Sequence, residues 1–267
     1  MTSPAAVATP TRAPAAAPIV SVRNVHKTYP GGVEALNDIS LDFPEGKLTT
    51  LLGPSGCGKT TLLKIIAGLL PATSGEVLVE GRPVTGPGPE RAFVFQDFAL
   101  MPWATVVRNV AFGLELRGMA RLEREAVAAR YIEQMGLKGF ESKYPHELSG
   151  GMRQRVGLAR ALAVNAKVLM MDEPFSAVDE QTRRKFQEDL LERVAKERKT
   201  FIFVTHSIEE AVYVSDRIVL LHRRPSRVHA IIEPNICRDV DPEQIRRQSG
   251  YLDAVENIWQ SLKQYLD

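Results

Sequence analysis

Two short stretches carry residues whose types and spacing suit phosphate chemistry. The first, GPSGCGKT at residues 53–60, has the G-x-x-x-x-G-K-[ST] pattern of a phosphate loop. Its glycines let backbone N–H groups wrap an anion, Lys59 offsets charge on β- and γ-phosphates, and the Thr60 hydroxyl suits a Mg²⁺ ligand. Gly53, Pro54, Ser55, Gly56, Cys57, Gly58, Lys59, Thr60 and Thr61 are therefore the candidate nucleotide contacts. A bland glycine turn ahead of a helix is the competing explanation. It weakens because an apolar strand precedes the loop and a helical pattern follows it. The second stretch is LSGGMRQR, residues 148–155. Ser149 followed by Gly150 and Gly151, just ahead of helical periodicity, is the chemistry of a helix N-terminus that receives an anion. One nucleotide has no evident need of two such cradles.

More polar residues stand at the ends of apolar runs. Asp172 closes VLMM, where a carboxylate can hold Mg²⁺ through the metal's water shell. Glu173 follows it, points elsewhere, and is a candidate to polarise an attacking water; a solvated acidic pair before Pro174 is the alternative. His206 ends FVTH and is either a structural histidine or a proton donor to a γ-phosphate oxygen, on a strand expected beside the one carrying Glu173. Gln96, after AFVF, could reach the metal or the water, and Tyr29, before a Pro-Gly-Gly turn, either stacks on a base or simply packs. The Cys57 thiol is expected to react with alkylating agents, with loss of nucleotide binding that prior addition of the Mg²⁺–nucleotide prevents. Phe98, Leu100, Met101 and Trp103 fall in an expected surface loop and mark an interaction site, unless half of them tuck into neighbouring helices.

The elements that must position these residues can be read from periodicity. Alternating apolar residues from Val20 to Phe43, with Pro-Gly-Gly and Pro-Glu-Gly turns, predict an antiparallel sheet. KLTTLLG predicts a buried strand feeding the glycine loop, and TTLLKIIAGLL a helix stopped by Pro71. Short strands are expected over 76–95 and a helical insert over about 104–163, with Leu122, Ala126, Ala129 and Met135 lining one face. KVLMMDEP and TFIFVTH then predict apolar strands around a charged helix, which argues for a mainly parallel sheet with ligands at the strands' carboxyl ends. RIVLL and RVHAIIEP predict a closing hairpin. Residues 1–18 read as a disordered Ala/Pro/Thr leader, 19–239 as the folded domain and 240–267 as a polar helical tail.

Bulk composition narrows the class. The 267 residues, 44% of them hydrophobic, suffice for a substantial core. A net charge of +2 without long basic blocks argues against nucleic acid as a partner. Two cysteines, Cys57 and Cys237, are too few for a disulfide framework and fit a reducing cytoplasm. No apolar run approaches the roughly 20 residues needed to span a bilayer, and the N-terminus lacks a signal peptide's basic start and apolar centre.

GPSGCGKT, Gln96, LSGGMRQR, VLMMDEP, SAVD and His206, in this order, resemble the ATP-binding subunit of ATP-binding-cassette transporters over roughly residues 19–225. That resemblance implies an α/β P-loop ATPase core with an antiparallel β-subdomain and a helical insert carrying the signature. It implies that Tyr29 stacks on adenine, Gln96 senses Mg²⁺ and the γ-phosphate, Glu173 is the catalytic base, Asp179 lies in a loop crossing to the partner, and His206 is the γ-phosphate switch. It further implies ATP and Mg²⁺ as cofactors and a second copy of the chain whose phosphate loop faces LSGG. The remaining partners would be transmembrane permease subunits and, indirectly, an extracytoplasmic solute-binding protein, with the chain peripheral on the cytoplasmic face of the inner membrane. ALMPWATVVRNVAFGLELRG is similar to the subfamily importing nitrate, taurine and aliphatic sulfonates, although Met101 and Val178 stand where leucine is commoner. A non-transport cassette ATPase is the alternative; the long coiled coils or second cassette of such relatives are missing here. A P-loop kinase or GTPase would leave LSGG without a role.

Overall fold

The computed structural model describes residues 18–175, 180–197, 199–238 and 240–263. Strands β1 (Pro18–Thr28), β2 (Glu34–Pro44), β4 (Ser74–Val79) and β5 (Arg82–Pro83) form an antiparallel sheet in the order β2-β1-β4-β5. A second sheet has the order β10-β9-β3-β8-β7-β6, built from β3 (Leu48–Leu52), β6 (Arg91–Val94), β7 (Val168–Asp172), β8 (Thr200–Thr205), β9 (Arg217–Leu221) and β10 (Val228–Ile232). Its neighbours run parallel except β10, which returns antiparallel on β9 as the expected hairpin. The chain is thus an α/β fold of the doubly layered kind.

The two-residue period of a strand divides the second sheet's side chains between two cores. On one face Leu51, Met170, Ile202 and Val204 pack with α1 (Lys59–Ile66) and the antiparallel sheet. On the other, Leu52, Met171, Phe201 and Phe203 pack under α2 (Val106–Leu116), α3 (Arg121–Gln134), α4 (Gly150–Ala163), α5 (Glu180–Glu197) and α6 (Ile208–Val214). Strands buried on both faces are near-continuous apolar runs, which is why VLMM and FIFV were legible. Each ends in polar residues at the same edge of the sheet.

Three expectations change. Helix α1 stops at Ile66, because Gly68 takes φ 75° and the following N–H groups of Leu69 and Leu70 fold back onto the Lys64 carbonyl. Pro71 comes later. On α3 the buried side is Ala128, Tyr131 and Ile132, continued by Met135, whereas Leu122, Ala126 and Ala129 face outward. At 100° per residue the latter three cannot share a face with Met135. The tail is not a polar appendage: after α7 (Pro242–Ile245), helix α8 (Ser249–Lys263) buries Tyr251, Ala254 and Ile258, which with Ile245 join the core beneath α6. The expected leader lies outside the described residues apart from Pro18, which opens β1. Among the described residues no helix is long and apolar enough to cross a membrane.

Candidate functional site

Strand β3 delivers the glycine loop, and α1 starts at its end with Gly58 as N-cap at φ 108°, ψ 8°. A Cβ there would lie 2.9 Å from Leu36 Cδ2 and 3.1 Å from the Ala35 carbonyl, so only glycine lets the loop lie this close to β2. Lys59 is buried, and its Nζ donates to the carbonyls of Gly53 (2.8 Å) and Pro54 (3.0 Å). The loop thus curls around its own cation. Beside it opens a cleft of about 260 Å³, lined by Tyr29, Ala35, Ser55, Gly56, Gly58 to Thr61, Glu173 and Arg224.

Adjacent β7 places both carboxylates at this edge. Asp172 is buried and accepts from the Thr60 hydroxyl at 2.9 Å. Burial pushes its carboxyl above the ordinary aspartate range, against the pull of the Thr60 hydrogen bond. A buried carboxylate beside a threonine hydroxyl is the oxygen donor set that Mg²⁺ takes, so these residues fit the metal. Glu173 adopts φ 45°, rare for a side-chain-bearing residue, while its N–H holds the Val204 carbonyl of β8 at 3.0 Å. That twist separates the two carboxylates: Asp172 turns to Thr60 and Glu173 into the cleft. His206, one residue past β8, places Nδ1 3.2 Å from Glu173 Oε2. The parallel β7–β8 pairing is what joins two residues 33 apart in sequence.

Tyr29 stands at the cleft mouth, where its hydroxyl lies 3.1 Å from Thr61 Oγ1 and the Lys27 ammonium sits 5.5 Å from its ring centroid. An aromatic so held offers a ring to a base. Gln96 is exposed two residues past β6 and does not line the cleft. Asp179 lies outside the described residues. Ser149 caps α4, its Oγ accepting from Met152 N at 3.3 Å, and neither it nor Gly150 nor Gly151 lines the cleft. The signature is thus a preformed helix N-terminus that does not border its own chain's phosphate loop.

Two expectations about side chains are corrected. Cys57 is only 1% exposed and points into the core, and its burial raises the thiol above the ordinary cysteine range. The exposed thiol is Cys237. In the loop after Gln96, Phe98 is buried and Leu100 packs on the core, whereas Trp103 stays 75% exposed. Arg160 of α4 donates to the carbonyls of Phe98 (2.6 Å) and Ala99 (2.8 Å), and buried Asn109 bonds Met101 and Ala104, so the segment is rigidly held. Sequence reading missed Arg224, which reaches the loop from the β9–β10 turn, and Gln154, whose amide ties α4 to the Pro174 carbonyl. An HRRPS turn has no phosphate-binding pattern that could have announced it.

A parallel sheet with a phosphate loop, two carboxylates and a histidine at its carboxyl edge defines a P-loop nucleotide-binding protein. A profile of the ABC transporter family matches residues 36–176. The chain is 52% identical over 213 residues to an ABC transporter ATP-binding protein of Methanocaldococcus jannaschii, covering 80% of each. It is 44% identical over 235 residues to the taurine import ATP-binding protein TauB of Yersinia pestis, covering 84% of this chain and 92% of that one. Among solved structures, the dimeric post-hydrolysis state of the ATP-binding cassette MJ0796, bound to ADP and Pi, aligns with TM-score 0.73 at 33% identity, covering 80% of this chain and 98% of that one. The chain belongs to the ABC transporter family, as an ATP-binding subunit that hydrolyses ATP.

Proposed function

We propose that the chain hydrolyses MgATP at the interface of two copies of itself and powers a separate membrane permease. The imported solute is a small anion of the nitrate, sulfonate or taurine type. The observation that carries this reading is the separation of the two cradles: Ser149, Gly150 and Gly151 cap an exposed helix end, while the nucleotide cleft is lined without them. A second chain supplies the missing phosphate for the signature, with Asp179 near the crossing. Within each cleft Tyr29 takes the base and the loop and Lys59 the phosphates, while Thr60 and Asp172 would hold Mg²⁺, whose charge would offset that of the phosphates. Gln96, exposed beyond β6, would sense Mg²⁺ and the γ-phosphate. Glu173 accepts the proton of the attacking water, and His206, already beside its carboxylate, orients that group and the γ-phosphate. The braced loop bearing Trp103 meets the permease. The subunit works peripherally on the cytoplasmic face of the inner membrane, and an extracytoplasmic binding protein hands solute to the permease. The taurine relative supports the solute class.

Mixed dimers test the interface. Lys59→Ala and Ser149→Arg each destroy both sites of a homodimer, but a mixed dimer keeps one site made from an intact phosphate loop and an intact signature. On a Glu173→Gln background it traps about one nucleotide, and either parent traps almost none. No trapped ATP in a verified mixed dimer defeats the two-subunit reading. Co-purification with the permease and a ligand screen on its binding protein test the solute class.

A further inference from the structure

Arg224 lies 168 residues beyond Gly56, yet its Nε and Nη2 donate to the Gly56 carbonyl at 3.3 and 3.1 Å. It lines the cleft together with Lys59, Thr60 and Glu173. The turn that carries it is stitched to β2: Ser226 N donates to Ala35 O (3.0 Å), and Asn37 N donates to Ser226 O (2.9 Å). Ser226 itself is buried. Ala35 lines the same cleft, so the arginine is delivered to the site by a braced backbone rather than by a loose surface loop.

We infer that Arg224 is a second cation of the nucleotide cradle, donating to the phosphates of bound nucleotide. Lys59, buried, and Arg224, exposed, both donate to neutral carbonyls of the phosphate loop, the lysine to two of them and the arginine to that of Gly56 alone. Among the described residues no carboxylate pairs with Arg224. A phosphate oxygen is a much stronger acceptor for a cation than a peptide carbonyl, so a bound nucleotide outcompetes Gly56 for part of the guanidinium. The planar fork lets one edge keep bracing the loop while the other, through Nη1, turns to phosphate. A cation in this position also compensates for the cleft's own carboxylate, Glu173, which repels a triphosphate.

The proposal rests on nucleotide binding in this cleft, and the test separates the two. Binding of AMP-PNP and of tripolyphosphate, which has phosphates but no base, is measured by calorimetry on the full chain. Arg224→Gln retains a neutral donor for the Gly56 carbonyl, and Arg224→Met retains only the apolar stem. Both variants are expected to weaken both ligands about tenfold or more, the size of one hydrogen bond to a charged group. Arg223→Gln, which removes the same charge from the exposed neighbouring residue, is expected to change each by less than twofold. Wild-type affinity in either Arg224 variant overturns the proposal, as does an equal loss in Arg223→Gln. Lys59→Ala is run alongside. Wild-type tripolyphosphate binding there removes the ligand from this cleft and sinks the underlying reading, whereas its loss beside normal Arg224 variants sinks the Arg224 assignment alone.

Discussion

Gly58→Ala probes the closest approach of β2 to the phosphate loop. The added carbon would sit 2.9 Å from Leu36 Cδ2 and 3.1 Å from the Ala35 carbonyl. Neither can yield freely, because Leu36 is wholly buried and the Ala35 carbonyl accepts the Ser226 N–H at 3.0 Å. Placing a side chain in left-handed backbone costs about 1–2 kcal/mol, and forcing a carbon into a packed core costs about 1–3 kcal/mol more. The sum, about 2–5 kcal/mol, corresponds to a Tm lowered by roughly 4–20 °C for a chain of this size. Calorimetric melting reads this directly, and denaturant titration gives the free energy. A double-mutant cycle with Leu36→Val, which lacks the Cδ2 atom, isolates the contact: the pair should be less destabilised than the sum of the singles by about 1 kcal/mol. A Gly58→Ala protein melting within about 2 °C of wild type, or an additive cycle, would refute the steric argument.

Three other outcomes are expected. Glu173→Gln should bind ATP and lose turnover by about 10²–10⁴-fold, the usual worth of a positioned general base, and near-normal turnover in a single-cycle assay removes Glu173 from that role. Titration with a chromogenic disulfide should find one fast thiol, Cys237, and a second only on unfolding, since Cys57 is buried and its thiol raised; a fast phase surviving in Cys237→Ser contradicts this. Trp103→Asp should melt within about 2 °C of wild type and lose stimulation by the permease, whereas Phe98→Asp, placing a charge in the core, should fold poorly. Equal melting losses in the two would show the loop to be partitioned otherwise.

The local chemistry was legible because it is contiguous. GPSGCGKT contains its own turn, N-cap and cation, and LSGG contains a serine cap and the two glycines that let a helix begin at an exposed end. The apolar runs VLMM and FIFV declare strands buried on both faces, and the polar residues just beyond them, Asp172 and His206, fall at the ligand edge because parallel strands align their carboxyl ends. The order of these motifs also suffices for the family.

Sidedness and distant approach were decided by tertiary packing alone. Cys57 belongs to the loop by sequence, yet the turn after Gly56 drives its thiol into the core, so chemical availability ran opposite to position. Helix α3 buries Tyr131 and Ile132 rather than Leu122 because its contacts are set by where α2 and α4 lie. The tail reads as polar, but four spaced apolar residues, Ile245, Tyr251, Ala254 and Ile258, are enough to anchor it once α6 offers a surface. Arg224 reaches the phosphate loop only because β9 lies beside β3 and its turn is sewn to β2. A pattern of neighbours along the chain records turns, caps and buried runs; which way a side chain faces depends on surfaces contributed by residues far away, and no local signal encodes them.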